Sequence, residues 1–287
     1  MAGRLDVVAT PIGNLKDLSP RAHESLATAT LIAAEDTRRT GQLLNAIGVS
    51  GKLISLHDYN EQGRIESLVQ QLRDGTVMAL VSDAGTPLLS DPGFMLVRAA
   101  AAAGIEVRAI AGPSAVTAAL SIAGLATDRF AFEGFLPARA AERRALLERL
   151  ELEQRTLVFF EAPHRIVETL QDLARIFGDS RRAVIARELT KLHETIYRGT
   201  LRELLLQSQN NNDFVRGEIT LIVAADEAQR RSSGDIELLT RALQILLQEL
   251  PPARAAAIAA QIAGSKRSDA YELALRLQGN KGANKVD

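Results

Sequence analysis

The sequence predicts an α/β protein with two α/β domains and a small C-terminal helical domain, and three observations lead to this prediction. Apolar runs alternate with helical segments over residues 1–124, which is typical of a mostly parallel sheet. Residues 125–226 show closer, hairpin-like strand spacing, which predicts a mixed sheet. Residues 235–287 contain three helical segments joined by tight turns, which predict a small bundle, with a helix-turn-helix as one form of it.

In the first domain, every predicted strand ends in a polar loop. These strands are residues 5–9, 31–34, 53–56, 77–81 and 107–111. Ser19 and Pro20 predict the cap and first turn of a helix, and residues 62–72 have helical spacing. Because ligands of open α/β sheets bind at the carboxyl ends of the strands, these loops predict a ligand crevice.

The second and third domains are predicted from the same kinds of pattern. Predicted strands are residues 130–135, 156–160, 183–186, 195–197 and 218–223. A charged helix is predicted over residues 138–154, and Pro163 can start another. Polar linkers are predicted at residues 124–128 and 228–235, and a polar connection at 208–213. The last helices are predicted at residues 236–250, 252–262 and 268–277.

The loop after the predicted strand 77–81 is the most informative segment. It is long and rich in Gly, Pro, Ser and Asp, and its glycines let the backbone approach a ligand. Asp91 and Pro92 predict the N-cap and first turn of the next helix, at residues 94–103. The alternative is an ordinary strand-to-helix connection, but such a connection needs only a few residues.

Composition excludes several kinds of site. The chain has 287 residues, a net charge of −1 and no cysteine, so disulfides, thiolate metal sites and cysteine nucleophiles are excluded. Its four histidines are scattered, and no phosphate loop, dinucleotide GxGxxG or hydrolase GxSxG occurs. We therefore expect no metal. With no signal peptide or membrane span in the sequence, we expect a cytoplasmic protein.

The C-terminal segment carries more basic than acidic residues. From Pro251 onward the basic residues are Arg254, Lys266, Arg267, Arg276, Lys281 and Lys285. Three acids, Asp269, Glu272 and Asp287, oppose them. This bias suits a phosphate backbone, and Lys266 and Arg267 are our candidate RNA contacts there. The alternative is a solvated helical tail that aids solubility or dimerisation.

Eight motifs in a fixed order carry a resemblance to a known family. They are ATPIGNL (9–15), AEDTR (34–38), SDAGTP with SDPG (82–87 and 90–93), GPSA (112–115), FEGFLP (132–137), EAPHR (161–165), RELTK (187–191) and GEI (217–219). The set resembles the bacterial ribosomal RNA small subunit methyltransferase I family, within the tetrapyrrole methylase-like, class III methyltransferases. The resemblance is dense from residue 5 to about residue 225.

The resemblance implies two α/β domains of tetrapyrrole methylase type with S-adenosylmethionine in the cleft between them. It implies 2′-O-methylation of a cytidine in the decoding region of 16S ribosomal RNA, in the small ribosomal subunit, and a homodimer. It places the cofactor against Pro11, Ile12, Ser82, Asp83, Gly85, Thr86, Ser114, Ala115, Glu161, Ala162, Gly217, Ile219 and Thr220. Ser82-Asp-Ala-Gly85 departs from the Gly-Asp-Pro of the wider family at this loop.

A 2′-hydroxyl is a weak nucleophile, so a base or a neighbour that lowers its pKa should assist. We name Lys191 and Glu188 as catalytic candidates, followed by Asp36 and His164. Lys191 can be tuned by burial, but a surface lysine or a phosphate contact is an equally consistent interpretation. Arginines at strand ends suit phosphate or ribose contacts, or else internal pairing with nearby acids; they are Arg38, Arg39, Arg165 and Arg187.

Two other functions remain consistent with the sequence. One is a methyltransferase that acts on a carbon of a tetrapyrrole, because the same general fold supports it. The other is a module that binds RNA or a nucleotide without chemistry, since no catalytic base is certain from sequence. The arginine-bearing loops and the basic tail favour RNA.

Overall fold

The computed structural model describes residues 3–283, apart from the side chains of residues 212, 227–236 and 278–283. The chain divides into two compact units. The larger unit contains Met1–Glu151 and Thr156–Ala224, and the smaller contains Leu152–Arg155 and Ala225–Asp287. The predicted boundary at residues 124 and 125 separates the strands of two sheets, and both sheets belong to the larger unit.

The first sheet of the larger unit is entirely parallel. Its strands are β1 (Arg4–Val8), β2 (Leu31–Ala34), β3 (Leu53–Ser55), β4 (Val77–Val81) and β5 (Glu106–Ile110), in the order β3-β2-β4-β1-β5. The helices of this part are α1 (Pro20–Thr28), α2 (Thr37–Ala46), α3 (Glu61–Arg73), α4 (Phe94–Ala102) and α5 (Ala115–Ala123). The parallel sheet predicted from the alternating pattern is confirmed.

Helices cover both faces of this sheet, as the apolar strands require. Alternate residues of β1 and β4 point to opposite faces, so Leu5 and Leu80 pack with α3 and α4. Val8 and Val81 pack with α1 and α2 on the other face. All five strands run in one direction, so the loops that follow them lie along one edge of the sheet.

The second sheet is mixed, as its strand spacing predicted. Its strands are β6 (Phe130–Phe135), β7 (Thr156–Glu161), β8 (Arg182–Arg187), β9 (Thr195–Thr200) and β10 (Ile219–Val223), in the order β6-β7-β10-β8-β9. The β6–β7 pair is parallel and the other pairs are antiparallel. Three helices follow these strands in the chain, α6 (Ala140–Leu150), α7 (Ile166–Phe177) and α8 (Leu201–Asn210).

Helix α5 connects the two sheets by packing. It follows the last strand of the first sheet, yet Val116 and Leu120 pack against Val158 of β7 and Ile222 of β10. The other face of the second sheet packs on a cluster that includes Leu170 of α7. The second sheet is therefore covered on both faces, one of them by a helix from the first half of the chain.

The smaller unit contains the three helices that the sequence predicted. They are α9 (Glu227–Leu246), α10 (Pro252–Ala263) and α11 (Arg267–Ala283), and Leu243, Ala256 and Ala270 are among their buried residues. The predicted flexible linker at 228–235 is wrong, because these residues belong to α9. Extending an existing helix costs less than starting one, so a polar segment can continue it. Lys285 and Asp287 lie outside the described residues.

Candidate functional site

A cavity of about 400 Å³ lies at the strand ends of both sheets in the larger unit. This volume lies within the usual range of small-molecule sites, about 300–1,000 Å³. From the first sheet it is lined by Ile12, Glu35, Arg39, Asp83, Ala84, Ser90, Asp91 and Ala115. From the second it is lined by Phe135, Phe160, Glu161, Ala162, Pro163, Ala186, Leu189, Gly217, Glu218, Ile219 and Thr220.

The topology explains why residues so distant in sequence meet. The carboxyl ends of β7 and β8 and the amino end of β10 share one edge, because β10 is antiparallel to both of its neighbours. Ile219 pairs with Glu161 on one side and with Arg187 on the other. The second sheet therefore presents strand ends to the cavity just as the first sheet does.

Three loops of the first sheet are joined by hydrogen bonds beneath the cavity. Thr10 and Gly85 exchange two backbone hydrogen bonds, with N···O distances of 2.9 and 3.0 Å. The Thr86 hydroxyl donates to the Pro113 carbonyl at 3.0 Å. Gly85 has a φ of +83°, and a Cβ built on it would lie 3.2 Å from Ile12 Cγ2. The loops after β1, β4 and β5 therefore form one connected surface.

The first-sheet wall of the cavity is acidic. The Asp83 N–H donates to Glu35 Oε2 at 3.2 Å, and Asp83 Oδ1 accepts from the Asp36 N–H at 3.1 Å. Arg39 Nη1 lies 3.1 Å from Asp83 Oδ2. Burial is the main cause that raises the pKa of Glu35 above its ordinary value, and the charge of Asp83 adds to it. Negative charge is thus concentrated at the ends of β2 and β4.

Asp91 is a further acid of this wall. Burial, with smaller contributions from the charges of Glu35, Asp83 and Asp58, raises the pKa of Asp91 to about 6, although a hydrogen bond from Ser82 opposes the shift. A carboxyl group with this pKa is mostly ionised at pH 7.5 but is more basic than an ordinary aspartate.

Asp91 does not cap α4, so the predicted Asp-Pro cap is wrong. Helix α4 begins at Phe94, and its N-cap is Gly93 with a φ of +114° and no side-chain cap. The buried Glu61 of α3 replaces that cap, because its Oε1 accepts from the Leu96 N–H at 3.0 Å. Asp91 is left free to line the cavity.

The second-sheet wall combines apolar side chains with one fixed carboxylate. Phe135, Phe160 and Leu189 give this wall its apolar character. The Glu161 side chain is fully buried and accepts hydrogen bonds from the Ala162 N–H at 2.7 Å, the Thr169 hydroxyl at 2.6 Å and the Arg165 guanidinium. These bonds hold the end of β7 in place and satisfy the buried charge.

The turn after β8 has a backbone conformation that is rare for residues with side chains. Glu188 and Thr190 have φ values of +54° and +65°. Lys191 Nζ bridges Glu188 Oε1 at 2.9 Å and Glu218 Oε2 at 3.1 Å. Gly13 packs against this turn so closely that a Cβ there would lie 2.3 Å from Lys191 Cγ. The turn therefore touches the loop after β1.

The ion pairs of Lys191 decide its protonation state. Burial alone would lower the pKa of Lys191, but hydrogen bonds and charges from Glu188 and Glu218 outweigh burial and raise it above its ordinary value. The pKa of Glu188 is lowered, mainly by its hydrogen bond from Lys191. Lys191 is consequently an ammonium ion and Glu188 a carboxylate near neutral pH.

The structure brings most of the predicted cofactor residues together. Eight of them line the cavity, namely Ile12, Asp83, Ala115, Glu161, Ala162, Gly217, Ile219 and Thr220. Five do not, namely Pro11, Ser82, Gly85, Thr86 and Ser114. Of these five, Gly85 and Thr86 hold the loops together, and Ser82 lies against Asp91. Ser114 lines a shallower groove next to Ile12.

The predicted RNA contacts divide by exposure. Arg38 and Arg39 are exposed and pair with Asp36 and Asp83, and Arg39 also lines the cavity. Lys266 and Arg267 are exposed in the smaller unit.

Arg165 and Arg187 are instead engaged inside the larger unit. Arg165 pairs with Glu161. Arg187 is 8% exposed and donates to the carbonyls of Arg216 at 2.8 Å and His193 at 3.2 Å. Both guanidinium groups therefore position strand ends.

Several lining residues were not predicted as site residues. Glu35 and Asp91 lie inside recognised motifs that also contain the chosen acids Asp36 and Asp83, and only the fold shows which carboxylate faces the cavity. Phe135, Phe160 and Leu189 gave no signal beyond ordinary strand apolarity. Among the described residues, no group of three or more His, Asp or Glu side chains is arranged to hold a metal ion. None of the described helices is long and apolar enough to cross a membrane.

Comparisons with known proteins agree with this architecture. Residues 4–205 match the family of tetrapyrrole (corrin/porphyrin) methylases, and residues 233–278 match the RsmI C-terminal HTH domain. At under 20% identity, the fold is shared with a uroporphyrin-III-C-methyltransferase from Thermus thermophilus (19% identity, TM-score 0.56, 78% of this chain and 94% of that one). It is also shared with a diphthine synthase (18% identity, TM-score 0.60, 77% and 89%).

Curated relatives match almost the whole chain. A ribosomal RNA small subunit methyltransferase I of Xylella fastidiosa is 53% identical over 272 residues, which covers 94% of this chain and 98% of the relative. The protein of the same name from Escherichia coli O157:H7 is 48% identical over 277 residues, which covers 96% of each chain. The chain therefore belongs to the tetrapyrrole methylase family and, within it, to the ribosomal RNA small subunit methyltransferases I.

Proposed function

We propose that this protein transfers a methyl group from S-adenosylmethionine to the 2′-hydroxyl of a cytidine in the decoding region of 16S ribosomal RNA. The observation that carries the proposal is the match of relatives named ribosomal RNA small subunit methyltransferase I over at least 94% of the chain. The ribose oxygen, the cytidine and the cofactor are what the resemblance of the sequence motifs implies, and the lining of the cavity supports the cofactor.

The cavity has the chemistry that this cofactor requires. Its apolar wall, with Phe160 and Leu189, suits a purine ring, and the fixed end of β7 can face the ring edge. Its acidic wall, with Glu35 and Asp83, suits the positive charges of a sulfonium and an amino group. At 4 Å, one such charge pair is worth about 4 kcal/mol at an effective dielectric of about 20. When bound, the sulfonium supplies an electrophilic methyl group.

We assign cofactor contact to the eight predicted residues that line the cavity, and loop positioning to Pro11, Ser82, Gly85, Thr86 and Ser114. Lys191 and Glu188 stay candidates for assisting catalysis, but not as the base. As an ammonium ion, Lys191 cannot accept a proton, but it can stabilise negative charge on an attacking oxygen. Glu188 then serves to hold that ammonium in place.

RNA binding is assigned to the exposed cations. Arg38 and Arg39 stand at the start of α2, beside the cavity, where they can contact phosphate next to the target ribose. Arg267 is the first residue of α11 and Lys266 precedes it, in the smaller unit, which matches a helix-turn-helix domain. We assign Arg165 and Arg187 to positioning, because both are committed to internal partners.

We also propose that the protein is a cytoplasmic homodimer and that it acts on the small ribosomal subunit without a metal ion. Light scattering at micromolar concentration tests the dimer, and a mass near 31.0 kDa, that of one chain, would contradict it. Full activity in the presence of a chelator is the expected result for metal independence.

One experiment separates this function from its rivals. Small subunits from cells that lack the modification are incubated with the protein and labelled S-adenosylmethionine, and the labelled nucleoside is identified after digestion. We expect one 2′-O-methylcytidine per subunit. Transfer to a tetrapyrrole precursor but never to RNA would establish the alternative carbon methyltransferase. RNA binding with transfer to neither would establish a non-catalytic module.

A further inference from the structure

Asp91 is held at the cavity by a strained loop. Leu88 and Ser90 have φ values of +74° and +67°, a region that residues with side chains rarely adopt. Such conformations cost about 1–3 kcal/mol each and persist only when the surrounding structure holds them. These two residues lie directly before Asp91, which lines the cavity, and α4 begins three residues after Asp91, behind Gly93. The loop that carries Asp91 at the cavity therefore has a strained backbone.

Asp91 differs from the other carboxylates of the cavity in its partners. The others belong to Glu35, Asp83, Glu161 and Glu218. Each of these accepts a hydrogen bond from a backbone N–H or pairs with a cationic side chain. Asp91, by contrast, contacts the Ser82 hydroxyl and has no cationic partner among the described residues. Its charge is thus uncompensated within the described part of the chain.

The charges of three neighbouring acids favour the protonation of Asp91. Glu35 faces it from the end of β2, Asp58 from the loop after β3 and Asp83 from the end of β4. Together with burial, which is the largest cause, they raise the pKa of Asp91 to about 6. A base is most effective when its pKa lies close to the working pH and its ionised form still predominates. Asp91 meets both conditions near neutral pH.

The other candidate bases do not meet these conditions. Lys191 is held as an ammonium ion by two carboxylates. The hydrogen bond from the Arg38 side chain is the largest cause that lowers the pKa of Asp36 far below its ordinary value. The pKa of Glu188 is lowered as well. His164 is exposed and does not line the cavity. Asp91 therefore has the most suitable setting of the five.

We propose that the Asp91 carboxylate accepts the proton of the RNA 2′-hydroxyl as that oxygen attacks the methyl group. A lone pair of the oxygen forms the new O–CH₃ bond, and the electron pair of the broken C–S bond remains on sulfur, whose charge is neutralised. The hydroxyl proton moves to an Asp91 oxygen and from there to water. Asp91 is then the catalytic base, and this assignment rests on the function proposed above.

The test uses three variants of the full chain. Asp91→Asn removes the base and keeps the shape, and Asp91→Glu keeps a carboxylate that is one methylene longer. Asp58→Asn is the matched control, because it removes an exposed charge that acts on Asp91 but does not line the cavity. Single-turnover methylation of unmodified small subunits is measured from pH 5 to 9 at saturating cofactor. Calorimetry measures the affinity of S-adenosylhomocysteine.

We expect Asp91→Asn to slow methyl transfer at pH 7.5 by about 100-fold or more, within the usual range for a lost general base. Its affinity for S-adenosylhomocysteine should change less than about threefold, and Asp91→Glu should retain part of the rate. The wild-type rate should fall as the pH drops through about 6, and this fall should be absent in Asp91→Asn. Asp58→Asn should keep the rate and shift the fall to lower pH.

Carboxyl NMR gives a second measurement that needs no activity. The Asp91 resonance should titrate near pH 6 in the wild type and at lower pH in Asp58→Asn. An Asp91→Asn rate within threefold of wild type, or an unchanged pH profile, overturns the assignment. A loss of cofactor affinity equal to the loss of rate also overturns it, because Asp91 would then be a binding residue. A wild-type protein that never methylates RNA refutes the proposed function itself.

Discussion

Asp83→Asn is the substitution that most directly tests the acidic wall of the cavity. Asparagine has the shape of aspartate, and its amide oxygen can still accept the hydrogen bond from the Asp36 N–H. The change removes one negative charge and the ion pair with Arg39, whose side chain is 66% exposed. Such exposed pairs contribute about 0–1 kcal/mol, so the protein should remain folded.

The expected effect on cofactor affinity follows from charge and exposure. Two unit charges 4 Å apart interact by about 1 kcal/mol in water and about 4 kcal/mol at an effective dielectric of about 20. The Asp83 side chain is 25% exposed and already shares its charge with Arg39, so the lower half of this range applies. A loss of about 1–2 kcal/mol corresponds to an affinity about five- to thirtyfold weaker for S-adenosylmethionine.

Calorimetry with two ligands separates the contribution of charge from that of shape. S-adenosylhomocysteine lacks the sulfonium charge but keeps the rest of the cofactor, so its affinity should fall less than that of S-adenosylmethionine. Glu106→Gln is the control, because Glu106 is an exposed acid at the opposite end of the parallel strands. Glu106→Gln should leave the affinities for both ligands within about twofold of the wild-type values.

Two results would refute the reasoning. If Asp83→Asn changes the affinity for S-adenosylmethionine by less than twofold in a folded protein, the acidic wall does not recognise the cofactor charge. If both ligands weaken equally, Asp83 does not act on the sulfonium. Thermal unfolding and low-salt titration accompany each measurement, because salt screens the partly exposed charge.

Three further predictions follow from packing, titration and surface charge. Gly13→Ala should lower the free energy of unfolding by about 1–3 kcal/mol, since its Cβ would lie 2.3 Å from the turn after β8. The control Gly63→Ala places its Cβ in open space within a helix and should be neutral or stabilising. Urea titrations measure both free energies. Asp91→Asn should raise the melting temperature at pH 8 more than at pH 4. The folded state raises the pKa of Asp91 from 3.8 to about 6, so this carboxyl group makes the wild-type protein less stable as the pH rises through that interval. Equal shifts of the melting temperature at both pH values would contradict this prediction. Replacing Lys266 and Arg267 with glutamine should weaken RNA binding without affecting cofactor affinity. The slope of log K against log salt concentration should become less steep by roughly 0.7–0.9 per lost phosphate contact. An unchanged slope would show that these residues do not contact RNA.

Strands were predicted more accurately than any other element. The bounds of β2, β4 and β6 agree with the sequence prediction residue by residue. Buried strands of parallel and mixed sheets appear as short apolar runs bounded by polar residues, and this pattern depends little on distant contacts. The cap of α1 by Ser19 is local as well and was also predicted.

Elements whose start depends on a loop conformation were harder to predict. Helix α2 begins at Thr37 behind an Asp36 cap, in a segment that reads as a polar loop. Helix α4 begins at Phe94, as predicted, but its N-cap is Gly93 rather than Asp91, and two left-handed residues, Leu88 and Ser90, precede it in the loop. Such backbone angles depend on tertiary contacts and leave no clear pattern in the residue types.

For the site, the sequence predicted which loops would meet but only some of the side chains that face the cavity. Asp83 was chosen correctly as a lining residue, whereas Asp91, eight positions later, was assigned to a helix cap. For Arg187 the sequence left open an RNA contact or pairing with a nearby acid, whereas in the structure its guanidinium donates to the carbonyls of Arg216 and His193. Side-chain direction at a strand end depends on packing that one sequence does not reveal.

The hydrogen bonds among the loops after β1, β4 and β5 have a consequence for the thermodynamics of binding. The Thr10–Gly85 bridge and the bond from Thr86 to Pro113 fix these loops through partners within the chain. Ordering one backbone residue costs roughly 1–2 kcal/mol of conformational entropy, and folding has already met this cost for these loops. A ligand that contacts Ile12 therefore binds to a preorganised surface, and little of the free energy of its contacts is spent on ordering these loops.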